Sequence, residues 1–398
     1  MTKKWQINNK KNDEINNKIK ELQEKYKLSK LLSTIMVNRG ISKENAEIFL
    51  NPNRHNFHNP FEMPDMEKAV ERILKAIDTK EKTIIYGDYD VDGITSTTIL
   101  KKFLKDRGLE CGYYIPNRLI EGYGLNKDSI EKIAKQGYTL IITVDCGITG
   151  NEEVKLAKEL GIDTIVTDHH EPGEQLPQDA VAIVDCKRKD NQYQFRELCG
   201  AGVAFKICQA LSIRLDLDEK EYLKYLDIAC IGTISDIVPL VDENRVITKL
   251  GLKLVNCTKN IGLNVLLKLI GYNIVDSTAI AFGIAPRINA CGRMGDAEVA
   301  IKLLLCDNYE EAEALAKKTQ EYNMKRQTEE KTIYEEALLQ IETEKKENQD
   351  AFVLKGENWH IGVMGIVSSK ITEKYSKPSI LIGFKDKETI GRGSRKKY

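Results

Sequence analysis

Residues 83–96 read TIIYGDYDVDGITS: an apolar run, a glycine, carboxylates at 88, 90 and 92, and a second glycine. The apolar run has the length of a buried strand, and the preceding DMEKAVERILKAIDTKEK (65–82) has the apolar spacing of an amphipathic helix. Three similar runs follow: YTLIITVD ending at Asp145, IDTIVTD ending at Asp168 and AVAIVD ending at Asp185. Between the first two of these lies NEEVKLAKELG (151–161), a short helix closed by Gly161. Strands alternating with helices predict an α/β fold with a parallel sheet covered on both faces. In such sheets ligands bind beyond the carboxyl ends of the strands. Four strands that each finish on an aspartate should therefore gather their carboxylates along one edge.

Alternation at period two would turn Asp88, Asp90 and Asp92 to one side of an extended segment, an arrangement that suits a divalent cation. Gly87 and Gly93 permit a tight turn and close approach of the backbone to a ligand. A D-x-D-x-D also fits a calcium loop or a helix-capping cluster, but counting from Asp88 the twelfth loop position is Ile99, which excludes an EF-hand. Asp145 and Asp168, taken singly, read as helix caps. In company with the adjacent His169 and His170 of TDHHEP (167–172), they form a set of oxygen and nitrogen donors without thiolate. That set suits Mn²⁺ or Mg²⁺, with imidazole favouring manganese. Two such ions about 3.5–4 Å apart can activate water and neutralise both oxygens of an in-line phosphoryl displacement. Asp236, in GTISDIVPL, is a further candidate that alone is equally a helix cap.

A phosphate substrate needs cations. Arg118, in IPNRLIEGYGLN and near Tyr113, Tyr114 and Tyr123, reads as a single-strand nucleic-acid surface. Arg287, Asn289 and Arg293 lie in APRINACGRMGDAE, a glycine-containing stretch read as turn-rich.

The rest of the 398 residues allows more than one domain. Residues 1–65 read as a helical lead-in ending in the loop NPNRHNFHNPFEMPD, where His55 and His58 have surface or packing roles. Residues 66–250 form the α/β core, and 251–347 are helical, with the Gly- and Pro-free 309–347 as one long connector or two helices in register. Residues 348–398 open a second, smaller α/β unit. Lys plus Arg equals Asp plus Glu at 60 each, so net charge announces no nucleic-acid partner and any basic surface is local. Nine scattered cysteines without a C-x-x-C pair read as reduced thiols of a cytoplasmic, soluble protein, and no apolar run is long enough for a membrane span.

Seven stretches, DYDVDGITS, TVDCGI, TDHH, GAGVAFKI, GTISDIVPL, APRINACGRM and WHIGVMGIVSSKI, occur in the order that resembles RecJ-type single-stranded-DNA-specific exonucleases of the DHH phosphoesterase superfamily, over about residues 60–390. The resemblance implies a DHH core joined by a long helix to a smaller C-terminal domain. It also implies a 5′-to-3′ exonuclease of recombination and repair that uses two Mn²⁺ or Mg²⁺ ions and no organic cofactor. The metal ligands would be Asp90, Asp92, Asp145, His169 and Asp236, with Asp145 bridging. His170 would stand near the scissile phosphate, Asp168 would belong to the catalytic set, and Asp88 would support it. Arg118 would hold the 5′-phosphate end, and Arg287, Asn289, Arg293, His360 and Ser394 would bind substrate. Besides single-stranded DNA, a single-strand-binding protein is the implied partner. The family's G-S-G-R-S-like loop has only a partial counterpart: Gly393 and Ser394 can begin it, but Arg395, Lys396 and Lys397 do not reproduce it. No OB-fold follows, so a truncated chain is expected. The alternatives are a phosphodiesterase for short oligonucleotides or cyclic dinucleotides, a pyrophosphatase, and an inactive DNA-binding scaffold.

Overall fold

The computed structural model describes residues 13–384 and 392–396. Helices α1 (Asp13–Tyr26), α2 (Lys30–Asn38) and α3 (Ala46–Leu50) gather around Leu22, Met36, Ile41 and Ala46. In the loop that follows, His55 is exposed. His58 packs edge-on against Tyr193 and lies 2.8 Å from Asp242 Oδ1, the packing role expected of it.

From α4 (Met66–Thr79) the chain alternates through β1 (Thr83–Gly87), α5 (Val91–Lys105), β2 (Gly112–Tyr114), α6 (Lys127–Lys135), β3 (Leu140–Val144), α7 (Asn151–Glu159), β4 (Asp163–Asp168) and β5 (Ala182–Asp185). The sheet order is β2-β1-β3-β4-β5 and every pair is parallel. Side-chain alternation sorts the strand residues by face. Ile84, Tyr86 and Ile141 meet Ile130 and Ile133 of α6 and Ala157 of α7, whereas Ile85, Ile142 and Val144 enter the main core. Burial on both faces is why these strands read as continuous apolar runs. β2 had no such run: its three residues, Gly-Tyr-Tyr, lie at the sheet edge and are only partly buried.

The main core is completed by α8 (Gly200–Arg214), α9 (Lys220–Leu223), α10 (Leu226–Ser235), α11 (Asp242–Val255), α12 (Ile261–Ile270), α13 (Ser277–Ala279), a π-helical turn at Ile280–Ile284, α14 (Ala285–Arg293) and α15 (Glu298–Leu305). One apolar cluster extends from Met63 to Ala316, so the helices after residue 250 share the core of those before it. The APRINACGR stretch, read as turn-rich, is the helix α14.

α16 (Tyr309–Thr343) is a single 35-residue helix, about 52 Å long at 1.5 Å per residue. Its first half gives Ala312 and Ala316 to the main core. Its second half gives Ile333, Ala337 and Ile341 to a separate cluster with Phe352, Val363, Met364 and Leu381. That second unit contains β6 (Phe352–Glu357), α17 (Ile361–Tyr375) and β7 (Ser379–Phe384), with β6 and β7 parallel. β8 (Arg392–Lys396) pairs antiparallel to β7 and places Ser394 opposite Leu381; the Ser394 side chain and Lys397 lie outside the described residues. All nine cysteines are free thiols, eight of them buried. Among the described residues no helix is long and apolar enough to cross a membrane.

Candidate metal centre

β1 and β3 are neighbours, yet the chain visits β2 on the far side of β1 between them. Strand order reverses at this point, where an open parallel sheet leaves a crevice. The acidic triplet sits there, but it turns a corner instead of continuing as an extended strand, because α5 begins at Val91. Asp90 caps α5, its Oδ1 accepting the N–H groups of Asp92 (2.9 Å) and Gly93 (3.2 Å). Asp92, in the first turn, points the other way: its Oδ2 accepts from Gly200 N–H at 2.6 Å and its Oδ1 from Ala201 N–H at 2.8 Å. The N-terminus of α8 thus cradles a carboxylate. A Cβ on Gly93 would lie 2.4 Å from the Asp88 carbonyl, so this corner closes only with glycine.

Asp145 follows β3 with φ 61°, a left-handed conformation that aspartate tolerates better than most residues. Its Oδ1 is 3.0 Å from His169 Nε2, which is also 3.6 Å from Asp92 Oδ2 and 3.8 Å from Asp236 Oδ2. Asp236 arrives from the C-cap of α10. Three overlapping groups result, with the donor atoms of each within 4.8 Å of one another: Asp145, His169 and His170; Asp92, His169 and Asp236; and Asp88, Asp90 and Asp145. Asp145 and His169 are each common to two of the groups.

Asp168 stands apart from these groups. Its Oδ1 accepts from the backbone of His169 (2.7 Å) and His170 (3.2 Å) and lies 2.7 Å from His170 Nδ1, while Oδ2 accepts from Ile148 N–H at 2.9 Å. With both oxygens engaged, it is a mount for His170. Burial alone would raise its pKa, but the His170 hydrogen bond and charge hold it below the usual carboxylate value. Burial likewise opposes charge on His170, yet Asp168 outweighs it and the imidazole pKa is raised. Tyr123 Oη lies 3.0 Å from the His170 ring and donates to the Asp145 carbonyl at 3.3 Å.

The electrostatics call for cations. Burial, then the neighbouring Asp90, pushes Asp88 up to about 8, and burial with Asp92 and Asp90 nearby pushes Asp236 up to about 7. Asp90 and Asp145 are raised for the same reasons, and burial lowers His169. Asp88 Oδ1 and His169 Nδ1 are buried without a hydrogen-bond partner among the described residues. Crowded carboxylates with uncommitted donor atoms fit hard divalent ions and are costly without them.

The residues expected to bind substrate divide. The Arg118 guanidinium lies over the Tyr89 ring at 4.9 Å, on the Asp88 side of the mouth. Arg293 is lowered to about 10 by burial and then by Arg118 and Arg326, and it donates to the Gly362 carbonyl at 3.2 Å. Asn289 Oδ1 accepts from Val91 N–H at 3.3 Å, pinning the start of α5. Arg287 is turned away, donating to Gln320 Oε1 and the Gly283 carbonyl, each at 2.7 Å, and so ties α14 to α16. His360 caps α17 through Nδ1, which accepts from Gly362 N–H at 3.2 Å. Tyr113 and Tyr114 are engaged at the sheet edge, with Glu298 and with the Tyr86 ring and Glu121, so they do not make the aromatic surface expected of them. Sequence reasoning missed the Gly200 and Ala201 amides, for which the small residues opening GAGVAFKI were the signal.

A parallel sheet of this order with acidic and histidine donors at its switch point defines a DHH-type core, and residues 82–233 match the N-terminal domain of the DHH family. The chain belongs, within it, to the RecJ family. It is 42% identical over 394 residues, 98% of its length, to the single-stranded-DNA-specific exonuclease RecJ of Bacillus subtilis (strain 168), of which it covers 49%. A crystal structure of exonuclease RecJ bound to manganese is 36% identical with a TM-score of 0.77, covering 84% of this chain and 83% of that one. RecJ from Thermus thermophilus in complex with Mn²⁺ is 33% identical with a TM-score of 0.80, covering 92% and 52%. The chain spans about half the length of the first curated relatives it matches.

Proposed function

We propose that the chain carries the catalytic core of a single-stranded-DNA-specific 5′-to-3′ exonuclease that hydrolyses phosphodiester bonds in DNA recombination and repair with two Mn²⁺ or Mg²⁺ ions. The observation that supports this reading is the buried switch-point donor set, with His169 Nε2 between 3.0 and 3.8 Å from carboxylate oxygens of Asp145, Asp92 and Asp236. Asp90, Asp92, Asp145, His169 and Asp236 would hold the ions. When bound, such ions supply an activated water and neutralise charge on the transferring phosphoryl group.

The chain's own residues do the rest. Asp168 holds His170 by Nδ1 at a half-exposed rim, with Tyr123 Oη 3.4 Å from Nε2, and it favours the protonated ring that a phosphate oxygen needs as donor. The α8 amides keep Asp92 oriented, and Asn289 fixes the corner that carries Asp90. Arg118 and Arg293 make the mouth locally cationic in a chain of zero net charge, for the 5′-phosphate end and the strand behind it. A single-strand-binding protein partner and a cytoplasmic location belong to the same proposal.

The test is Mn²⁺-dependent release of mononucleotides from a 3′-labelled, 5′-phosphorylated single-stranded 50-mer, beside a duplex and a 5-mer. Stepwise loss from the 5′ end of the single strand is expected, and Asp145→Ala should abolish it with the fold intact. Cleavage of the 5-mer alone would replace this reading with a short-oligonucleotide phosphodiesterase. Substantial Mn²⁺-dependent turnover by Asp145→Ala would overturn the assignment of Asp145 as a metal ligand.

A further inference from the structure

α5 and α10 are packed together and run in opposite senses between two places. At one end lie Asp90 and Asp92, opening α5, and Asp236, closing α10. At the other end, about 22 Å away by the length of the 15-residue α5, lies a cavity of about 570 Å³. The last turns of α5 line it with Lys101, Lys102 and Lys105, and the beginning of α10 lines it with Tyr225, Asp227 and Ile228.

We propose that this cavity is a second ligand site, separate from the metal centre, that takes a nucleoside monophosphate. Its inner wall is apolar, built by Tyr225, Ile228, Leu254, Ile261 and Leu305, and it offers a flat ring somewhere to bury. Its rim carries five ammonium groups, from Lys101, Lys102, Lys105, Lys224 and Lys259. Two of them, Lys101 and Lys259, have no carboxylate partner among the described residues. Lys102 and Lys105 share the one carboxylate of Asp307, at 3.4 and 3.6 Å, and Lys101 is bonded to the carbonyl of Cys111. Lys224 is paired with Asp106 at 2.8 Å and with Glu221 at 3.2 Å, and Glu110 is an exposed rim residue. Asp227 is buried, with Oδ1 accepting from Ile228 N–H and Oδ2 from the Thr258 hydroxyl, so both its oxygens are already engaged. An apolar wall beside ammonium groups, two of them without a carboxylate partner, matches a base joined to a phosphate dianion. A cavity of about 570 Å³ admits one nucleotide.

Because both helices also carry metal-centre carboxylates, an occupant that shifts their far ends moves Asp90, Asp92 and Asp236. Occupancy by the kind of nucleotide that an exonuclease releases would then lower turnover. Binding rests on the cavity alone, and only this coupling rests on the nuclease reading.

Calorimetric titration of the full chain with dAMP, adenosine and inorganic phosphate, in EDTA so that divalent ions bridge nothing at the metal centre, separates the two. Saturable 1:1 binding of dAMP is expected, with adenosine and phosphate each at least tenfold weaker. Leu254→Trp, which fills the apolar wall, should abolish binding. The exposed pair Lys105→Glu/Lys259→Glu should weaken it at least tenfold, and both variants should keep wild-type Mn²⁺-dependent activity. In the wild type dAMP should lower kcat even at saturating DNA, an effect lost in both variants. Absence of dAMP binding, or binding that neither variant alters, would overturn the site, and adenosine binding as tightly as dAMP would overturn the phosphate assignment. If the chain showed no nuclease activity, the calorimetric arms would still decide the question of binding.

Discussion

Gly200→Ala is the sharpest perturbation of the metal centre, because it changes no donor. A Cβ built on Gly200 lies 2.6 Å from Asp145 Cβ and 2.9 Å from both Cγ and Oδ1. Carbon atoms rest at about 3.5–4.0 Å, so something must yield by roughly 1 Å. Either Asp145 backs away from His169, or the start of α8 retreats and stretches the Gly200 N–H bond to Asp92, now 2.6 Å. Both routes move one donor relative to the others. Overpacking costs about 1–3 kcal/mol, while replacing a helical glycine by alanine returns up to about 1 kcal/mol, so the urea midpoint should fall only modestly. A misplacement of about 1 Å is worth on the order of 10²-fold in rate, and Mn²⁺ affinity should fall with it. Gly202→Ala is the control on the same helix: its new Cβ meets only the Leu198 side chain, with Cδ2 at 3.1 Å, which rotation can move, and Cβ at 3.3 Å, which needs a shift of a few tenths of an ångström. The assay pairs urea melts with Mn²⁺ titration and turnover on the single-stranded 50-mer. Wild-type Mn²⁺ affinity and turnover in Gly200→Ala would refute the claim that close approach of α8 sets the donor geometry.

Lys206 and Glu243 form a fully buried ion pair at 2.8 Å, so Lys206→Met should cost about 3–5 kcal/mol in urea unfolding by leaving a buried carboxylate without its counter-charge, with only the His58 N–H and the Tyr193 hydroxyl still donating to it. Lys206→Met/Glu243→Gln should recover part of that loss. His58 has a raised pKa, chiefly through its hydrogen bond to Asp242. Its contribution to stability is complete below the unfolded value near 6.5 and disappears as pH rises through the higher folded value. Tm measured across that window should fall more steeply in the wild type than in Asp242→Asn. Saturating the donor set with Mn²⁺ should raise stability by about 2.7 kcal/mol per site at a hundredfold excess over Kd, with EDTA reversing it. An unchanged Tm would count against the metal-site assignment.

β1, β3, β4 and β5 were legible because burial on both faces demands apolar runs, and each run stops at an aspartate on the open edge. β2 was not, since a three-residue edge strand buries too little to leave a pattern. The acidic triplet was legible as a cluster but not as a corner. Asp90 as a helix cap and Asp92 as a first-turn residue have the same spacing as two neighbours on a strand, and only the position where α5 starts separates the two readings. Arg287, Asn289 and Arg293 share one role only if their stretch is a turn. On a helix of 100° per residue, Asn289 and Arg293 lie 40° apart, but Arg287 and Asn289 lie 160° apart. The opposite bonding of Arg287 to α16 follows once the helix is recognised.

The least legible part of the site is its backbone. Gly200 and Ala201 bond Asp92 through N–H groups that every residue but proline has, so only the smallness of these residues, not a donor side chain, marks them. What the sequence does record is the absence of a side chain at Gly200, facing Asp145, and at Gly232 of α10, where a Cβ would come within 2.9 Å of Asp92 Oδ1. These two glycines come from different helices, and both keep side chains off the donor carboxylates. α8 and α10 can therefore approach the switch point of the sheet closely enough for an amide pair and Asp236 to complete a set that the strand ends alone leave open. The strands supply Asp88, Asp145 and His169, and the helices decide how near to one another these can be held.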